Sequence, residues 1–266
     1  EVYYFEIITI LKKLEKYREA QRFIKTTEKI LGQKNELLVL QKDIYIKQDN
    51  LKEAEKTGKR LIERSTQFYP DLAEIYMYFS LYDKAVETYT QLLEIDSKNP
   101  QAIVALYKIN VIKNNTQQEQ LYLSKIASSS EISIETKKTI FYDLLFSNDF
   151  IKYDRFKIIV ESAQDLHEDE PLFHLILGDL YAKEHKYDLA ISHYYSSLYS
   201  GVIKDDYIYN KLIEMYGQKE KYEQVLETAD QALERFPFNP EFYRYKGIAL
   251  LQQKKYLAAN DKIKKC

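Results

Sequence analysis

The chain has 266 residues, a formal net charge of −2, 45% hydrophobic residues and 30% charged residues. This balance is typical of a folded globular protein and argues against intrinsic disorder. Nucleic-acid binding depends on a basic face that neutralises phosphates, so the charge argues against DNA or RNA as a partner. The single cysteine, Cys266, excludes an internal disulfide framework and a cysteine-based zinc cluster.

Few glycines and prolines interrupt the chain, which has six Gly and five Pro. Numbers this low favour helices joined by short turns over a protein built from many hairpins. No stretch approaches the roughly 18 consecutive apolar residues that a membrane-spanning helix needs. We therefore expect an all-α chain that does not insert into a membrane.

A short phrase recurs along the chain: an aromatic residue or Leu, two further residues, and then a small residue. The intervals between its leading residues are 34, 31, 105, 35 and 34, and 105 is three times 35. A period near 34 is typical of a helical repeat array. Apolar residues recur three and four positions apart before and after each phrase, which predicts paired amphipathic helices. The leading residues are Tyr17, Leu51, Tyr82, Tyr187, Tyr222 and Tyr256.

These units resemble tetratricopeptide repeats. In the clearest match, which begins at Pro171, Gly178 and Ala190 occupy the two positions where this family has small residues, and Tyr181 occupies its tyrosine position. Only small side chains fit there, because the paired helices approach most closely at these positions. The resemblance implies an all-α, right-handed superhelical solenoid of helix-turn-helix repeats.

The register predicts a single array of about eight units over residues 1–266, with the last unit truncated. The pattern weakens in the fourth and fifth units, where Glu119 and Phe156 replace the small residue of the second helix. Between them lies a polar run, Ser128–Ser133, in which Ser133 has the chemistry of a helix cap. We expect an irregularity near residues 113–136. The predicted unit starts lie near Glu1, Asn35, Thr66, Pro100, Lys137, Pro171, Asp206 and Pro240.

The residues that could support chemistry form no recognisable site. The four histidines, His167, His174, His185 and His193, fall in one stretch, but their spacing does not bring them together as metal ligands. The glycines form neither a phosphate-binding loop nor a dinucleotide fingerprint, and no serine lies in the strand-turn-helix context of a nucleophile. We therefore expect no catalytic activity, no cofactor and no metal.

In this family the first helix of each unit lines a concave groove, so the resemblance implies which side chains face it. One row of these positions is largely apolar here, and the other is mixed. An apolar stripe flanked by separated charges suits a helical or extended peptide segment. The predicted groove residues are Phe5, Thr9, Val39, Asp43, Val104, Lys108, Phe141, Leu175, Asp179, Asn210, Glu214 and Arg244.

One functional subclass of the family can be tested by residue. Members that clamp the acidic C-terminal tails of chaperones carry Lys, Asn and Arg at five groove positions. The best run of those positions here does not match the subclass at any of them, so an adaptor of that type is not predicted. The run consists of Leu175, Asp179, Lys211, Glu241 and Tyr245.

The sequence predicts a non-catalytic protein–protein interaction scaffold that binds a protein or peptide segment. Two alternatives remain open: a structural spacer in an envelope or secretion-associated lipoprotein, and a regulatory array within a larger multidomain protein. The Lys-, Tyr- and Asn-rich composition without Trp is similar to that of bacterial members, and fits the cytoplasm as well as the periplasm or outer-membrane periphery. Apolar surface at two uncapped ends predicts end-to-end self-association.

Overall fold

The computed structural model describes residues 2–146, 150–167, 170–199 and 206–264, so Cys266 lies outside the described residues. Within these ranges the chain is all-α, without a β-strand, as predicted. The helices form eight consecutive pairs. They are α1 (Val2–Lys13), α2 (Tyr17–Leu31), α3 (Asn35–Lys47), α4 (Leu51–Ile62), α5 (Tyr69–Tyr78), α6 (Tyr82–Ile95), α7 (Pro100–Ile112), α8 (Thr116–Ser128), α9 (Ile134–Leu145), α10 (Phe150–Leu166), α11 (Pro171–Lys183), α12 (Tyr187–Tyr199), α13 (Tyr207–Gln218), α14 (Tyr222–Arg235), α15 (Pro240–Gln252) and α16 (Tyr256–Ile263).

Each recurring phrase marks the start of the second helix of a pair, namely α2, α4, α6, α12, α14 and α16. The first helices begin within three residues of the unit starts given by the sequence register. The largest offsets are at α5, which a 3₁₀ turn (Thr66–Phe68) precedes, and at α9. No helix in the described ranges combines the length and apolar character needed to cross a bilayer.

The turn inside a pair has one recurring geometry. The N–H of the residue before the second helix donates to the carbonyl five positions earlier, as when Asn50 N donates to Tyr45 O at 2.9 Å. This bond, with a left-handed residue just before the donor, is the Schellman arrangement of a helix C-terminus. The left-handed residues have φ between 52° and 59°, and none is Gly: Glu15, Asp49, Ser80, Asn114, His185, Glu220 and Lys254.

Paired helices make their closest contact at the small residues of the repeat. Gly178 in α11 is the tightest case, because a Cβ at this position would lie 2.6 Å from Cε1 of Tyr194 in α12. The Tyr194 side chain is itself fully buried. Because Gly178 has no side-chain carbon, the ring of Tyr194 can occupy this space. The small residues Ala20, Ala54, Ala85, Ala190 and Ala259 of the second helices are likewise 0% exposed.

The fourth and fifth pairs bury larger residues where five of the other pairs have Ala and the seventh has Val225. Glu119 in α8 is 3% exposed, and Phe156 in α10 is 1% exposed. The Phe156 ring lies 5.5 Å from the ring of Phe141 in α9, so an aromatic pair fills the space between these two helices. Ser133 caps α9 as predicted, because its side chain accepts a hydrogen bond from the N–H of Thr136.

The chain divides into two compact units, Glu1–Glu131 and Ile132–Cys266, which we call unit 1 and unit 2. The division falls within the polar run between α8 and α9. Unit 1 contains α1–α8 and unit 2 contains α9–α16. The single continuous array and the right-handed superhelix stay predictions.

Each unit has its own hydrophobic core. One core cluster of unit 1 contains Ile8, Ala20, Ile24, Leu37 and Ile44, and one cluster of unit 2 includes Tyr194, Ile208, Leu212, Ala229 and Phe242.

Tyrosines link successive pairs within each unit. The hydroxyl of Tyr76 in α5 donates to Glu55 of α4 at 3.0 Å, and the hydroxyl of Tyr181 in α11 donates to Glu161 of α10 at 3.0 Å. Both tyrosines occupy the same repeat position, and both acceptors lie on the second helix of the preceding pair. A buried tyrosine packs its ring while its hydroxyl bonds a partner at the edge of the contact.

Substituting Gly178 by Ala tests the close contact between α11 and α12. We expect Gly178→Ala to lower the free energy of unfolding by about 1–3 kcal/mol, because the added methyl group must displace the Tyr194 ring. Gly217→Ala is the matched control, since a Cβ at Gly217 meets nothing within 4 Å. The control should be neutral or stabilising by up to about 1 kcal/mol. Urea unfolding followed by circular dichroism measures both, and equal midpoints for the two variants would contradict the contact.

Candidate interaction surface

A pocket of about 420 Å³ opens on unit 2. Its walls come from the first helices α11 and α13, from the C-terminal end of α9, and from the turn that joins α11 to α12. Two predicted groove residues, Asp179 and Glu214, line it. The lining residues are Leu145, Phe146, Asp179, Ala182, Lys183, His185, Tyr187, Tyr207, Lys211, Glu214, Met215 and Gln218.

Phe146 forms an exposed apolar wall of the pocket, with 67% of its surface accessible. It directly follows the last residue of α9, Leu145, which is buried. Ala182 on α11 is half-buried, and Met215 on α13 is only 3% exposed. Phe146 is therefore the exposed apolar residue among those that line the pocket.

Two lysines flank the aromatic walls of the pocket. The ammonium of Lys183 lies 5.5 Å from the centre of the Phe146 ring and donates to the carbonyl oxygen of Leu145. The ammonium of Lys211 lies 5.7 Å from the centre of the Tyr207 ring and donates to Glu214 at 3.1 Å. Cations placed over ring faces in this way are attracted by the π electrons. The pocket thus combines apolar walls with charges of both signs at its edge.

Asp179 forms a buried polar floor that joins three helices. Its carboxylate, on a residue only 6% exposed, accepts hydrogen bonds from Tyr194 of α12 at 2.7 Å and from Tyr207 of α13 at 2.9 and 3.0 Å. Burial raises the pKa of the Asp179 carboxyl, and the two hydroxyls and nearby Lys211 partly offset this. Burial and the charge of Asp179 also raise the pKa of Tyr194 and Tyr207, so both phenols stay protonated as donors.

The other predicted groove residues of unit 2 differ in accessibility. Phe141 is 0% exposed and Leu175 is 5% exposed, so their own chain covers both and they support the surface from beneath. Asn210 is half-buried, and Arg244 is exposed with its Nε donating to Glu241 at 3.0 Å. The exposed members of the predicted groove in unit 2 are therefore Glu214, which lines the pocket, and Arg244, which lies outside it.

In unit 1 a network of ion pairs connects the first helices α1, α3 and α5. Lys42 is only 2% exposed, and its ammonium donates to Asp71 of α5 at 2.9 Å and to Glu74 at 2.7 Å. The predicted groove residue Asp43 lies 3.3 Å from the same ammonium and accepts from Lys12 of α1 at 2.6 Å. Burial lowers the pKa of Lys42, but the bonds and charges of Glu74 and Asp71 outweigh it and raise that pKa above its ordinary value.

The remaining predicted groove residues of unit 1 range from half-buried to exposed. Phe5 is half-buried against the core cluster of α1–α3, and Thr9 Oγ1 donates to the carbonyl of Phe5 at 2.8 Å. Val39 and Val104 are half-buried, and Lys108 is exposed. Ion pairs therefore join the first helices α1, α3 and α5 of unit 1, whereas α11 and α13 of unit 2 line the pocket.

Two of the histidines meet inside unit 2. His174 of α11 and His193 of α12 bring their Nδ1 atoms to 3.0 Å, and Tyr181 stacks on His193 with ring centres 5.3 Å apart. In the ranges that the structure describes, no three His, Cys, Asp or Glu side chains gather as a metal site would require. Burial, together with neighbouring His174, lowers the pKa of His193 to about 4.

Residues 215–263 match the family model described as tetratricopeptide repeat. This segment extends from the end of α13 to the end of α16. The same helix pairing and the same turn recur through the rest of the described chain. Residues 215–263, which contain α14, α15 and α16, are therefore similar to tetratricopeptide repeats.

Several solved structures have a similar fold at low sequence identity. MamA 41-end from Desulfovibrio magneticus RS-1 is 13% identical, with 75% of this chain and 92% of that chain covered and a TM-score of 0.42. PilW, a widely conserved type IV pilus biogenesis factor, is 15% identical, with coverages of 74% and 90% and a TM-score of 0.45. At such TM-scores these likenesses carry no argument about function. Comparison with curated proteins gives no match.

The histidine pair predicts a loss of stability on acidification. His193 stays neutral in the folded protein down to a pKa of about 4, whereas the unfolded chain takes up the proton near pH 6.5. Neutral His193 therefore contributes fully to the free energy of unfolding above about pH 6.5. This contribution falls by about 1–3 kcal/mol, in this half-buried site, as the pH drops to about 4. His193→Phe keeps a ring and cannot titrate. Urea unfolding across this range should show a shallower decline for the variant, and identical slopes would contradict the assignment.

Substituting Lys42 tests whether its buried ammonium stabilises the fold. Lys42→Met keeps the length of the side chain but leaves the Asp71 and Glu74 carboxylates together without their cation. We expect the free energy of unfolding to fall by about 1–3 kcal/mol, because those carboxylates remain partly in water. Lys59→Met, which removes an ammonium whose side chain is 56% exposed and which bonds Glu55, should change it by under about 0.5 kcal/mol. Thermal unfolding of both variants measures the difference, and equal losses would show that Lys42 behaves as a surface lysine.

Proposed function

We propose that this chain is a non-catalytic protein-interaction scaffold that binds a peptide segment of a partner protein along the first helices of unit 2. The observation that carries the proposal is the open pocket in which Phe146 stays exposed between α9, α11 and α13. A volume of about 420 Å³ falls within the range of roughly 300–1,000 Å³ that ligand pockets span.

The floor of the pocket favours binding because it is fixed before a partner arrives. Asp179 accepts hydrogen bonds from Tyr194 and Tyr207, so one carboxylate connects α11, α12 and α13. A surface that is ordered in the free protein loses little conformational entropy on binding. The partner segment then bears most of the ordering entropy.

The chemistry of the walls suits a bulky apolar side chain with polar neighbours. Such an anchor would pack against the exposed ring of Phe146, while Lys183 and Glu214 at the edge would bond the polar groups of the flanking residues. Buried apolar anchors ringed by polar contacts carry most of the affinity in peptide recognition. The titratable groups of the pocket already bond one another, with Asp179 on tyrosines and Lys211 on Glu214, which suits binding better than proton transfer.

Selection of peptides from a displayed library on the whole protein tests this site. We expect selected peptides to share a bulky apolar residue and to bind Phe146→Ala at least about tenfold more weakly, since an aromatic wall is lost. Phe238→Ala is the matched control, because Phe238 is 95% exposed and lies outside the pocket lining. Isothermal titration calorimetry gives the affinities.

Two results would contradict the proposal. Selected peptides that bind Phe146→Ala and the unchanged protein equally well would place the binding surface elsewhere. A library that yields no binder at all, with the protein folded by circular dichroism, would favour the structural spacer over the scaffold.

A further inference from the structure

Exposed charges recur at four equivalent positions of the second helices. Counted from the first residue of the helix, these are its second, sixth, ninth and thirteenth positions. Steps of four, three and four residues follow the helical turn of 3.6 residues, so the four side chains form one stripe along the helix. The phrase that begins α2, α4 and α14 fixes the register, and the buried residue at the fourth position of each helix, Ala20, Ala54 or Val225, lies on the opposite face.

The stripe is basic on the first two second helices. On α2 all four positions are cationic, and on α4 the first three are; every one of these side chains is exposed. We call these seven side chains the basic stripe. They are Arg18, Arg22, Lys25 and Lys29 of α2, and Lys52, Lys56 and Lys59 of α4.

The same four positions are acidic on α14. We call these side chains the acidic stripe, and all four are exposed. They span eleven residue steps, as the four positions on α2 do, so each set is about 16 Å long and has the same internal spacing. The acidic stripe consists of Glu223, Glu227, Asp230 and Glu234.

Most of these charges are not neutralised within the chain. In the basic stripe, Lys59 pairs with Glu55 at 2.7 Å, and the other six cations have no acidic partner among the described residues. In the acidic stripe, Asp230 pairs with Lys246, whereas Glu227 and Glu234 have no Lys or Arg partner among those residues. Both stripes therefore present net charge of opposite sign.

The like charges of each stripe repel one another and so destabilise the helix that carries them. Arg18 and Arg22 are like charges four residues apart, as are Glu223 and Glu227, and such pairs destabilise a helix. The chain as a whole is nearly neutral, so overall repulsion or solubility does not require segregated charges of one sign. A partner of opposite charge removes the repulsion in either stripe.

We propose that the basic stripe of one copy of this chain binds the acidic stripe of a second copy. The occupant follows from charge complementarity, because the chain itself carries an opposite stripe with matching spacing. A contact between two different surfaces is heterologous and builds rings or open chains of copies. It involves neither the pocket nor the apolar chain ends, so it stands independently of the peptide-binding proposal.

The second helix of the third pair, α6, suits the basic stripe less well than α14 does. Its stripe has Thr90 at the ninth position, and its first member, Asp83, pairs with Lys113 of α7. The acidic stripe on α14 instead has a carboxylate at each of the four positions. The α6 carboxylates therefore serve as the control surface in the experiment.

Sedimentation velocity of the purified chain at rising concentration tests the contact. We expect association in about 10 mM NaCl, where the screening length is about 30 Å, and monomers in about 1 M NaCl, where it is about 3 Å. Association that persists in 1 M NaCl would come from apolar contacts, as between chain ends, and would overturn the proposal. A monomer under all conditions would also overturn it.

Charge reversal identifies the surfaces. A basic-stripe variant and an acidic-stripe variant should each lose association by at least about tenfold, because like charges then face each other. Mixed in equal amounts, the two variants should associate again, since one carries two acidic surfaces and the other two basic ones. The basic-stripe variant is Arg18→Glu, Arg22→Glu and Lys25→Glu, the acidic-stripe variant is Glu223→Lys, Glu227→Lys and Glu234→Lys, and the control is Glu87→Lys with Glu94→Lys on α6.

Circular dichroism confirms that the variants keep their helices, as substitutions of exposed residues should. Association that survives the basic-stripe and acidic-stripe reversals, or fails to return in the mixture, would overturn the proposal, as would a loss of association in the α6 control.

Binding to vesicles of phosphatidylcholine with phosphatidylserine tests the alternative partner of the basic stripe, an anionic membrane surface. A monomeric chain that binds these vesicles through Arg18, Arg22 and Lys25 would assign the basic stripe to an anionic membrane surface instead.

Discussion

The close approach of the two helices in each pair is the constraint on which the rest of this structure depends. Where Gly178 meets Tyr194, the absence of a single methyl group decides whether an aromatic ring can be buried between α11 and α12. Buried alanines occupy the corresponding position of α2, α4, α6, α12 and α16, each with a left-handed residue in the preceding turn. In these pairs the position of a residue in the repeat determines whether it is buried between the helices or exposed.

This division of faces leaves two different kinds of surface on the chain. The first helices of unit 2 form a pocket whose floor, Asp179 with Tyr194 and Tyr207, is fixed by hydrogen bonds between helices. The outward stripes of the second helices contribute nothing to the core, so their charges are free to be selected for contacts with other molecules. Burial stabilises each pair, while Phe146 at the end of α9 is exposed and most charges of the two stripes have no oppositely charged partner among the described residues.

The sequence predicted the helix pairs well because small residues and apolar periodicity are local signals of close packing. Turn geometry was less visible, since residues such as Asp49 adopt a left-handed conformation without being Gly. Phe146 was missed because it follows the end of α9, outside the repeat positions that a groove is expected to use. Lys42 occupies a position where the family has a small residue, which could have signalled its buried ion network. Burial of Phe141 and Leu175 depends on neighbouring helices, which no single-helix pattern reveals.

Site-specific photocrosslinking in the source cells tests most directly whether the pocket of unit 2 binds a partner. A photoreactive amino acid would replace Gln218, which lines the pocket, or Gln117, which is exposed on α8. We expect a covalent adduct with another protein from position 218 and none from position 117. Adducts from position 117 alone, or equal adducts from both, would contradict the claim that the first helices of unit 2 form the binding surface.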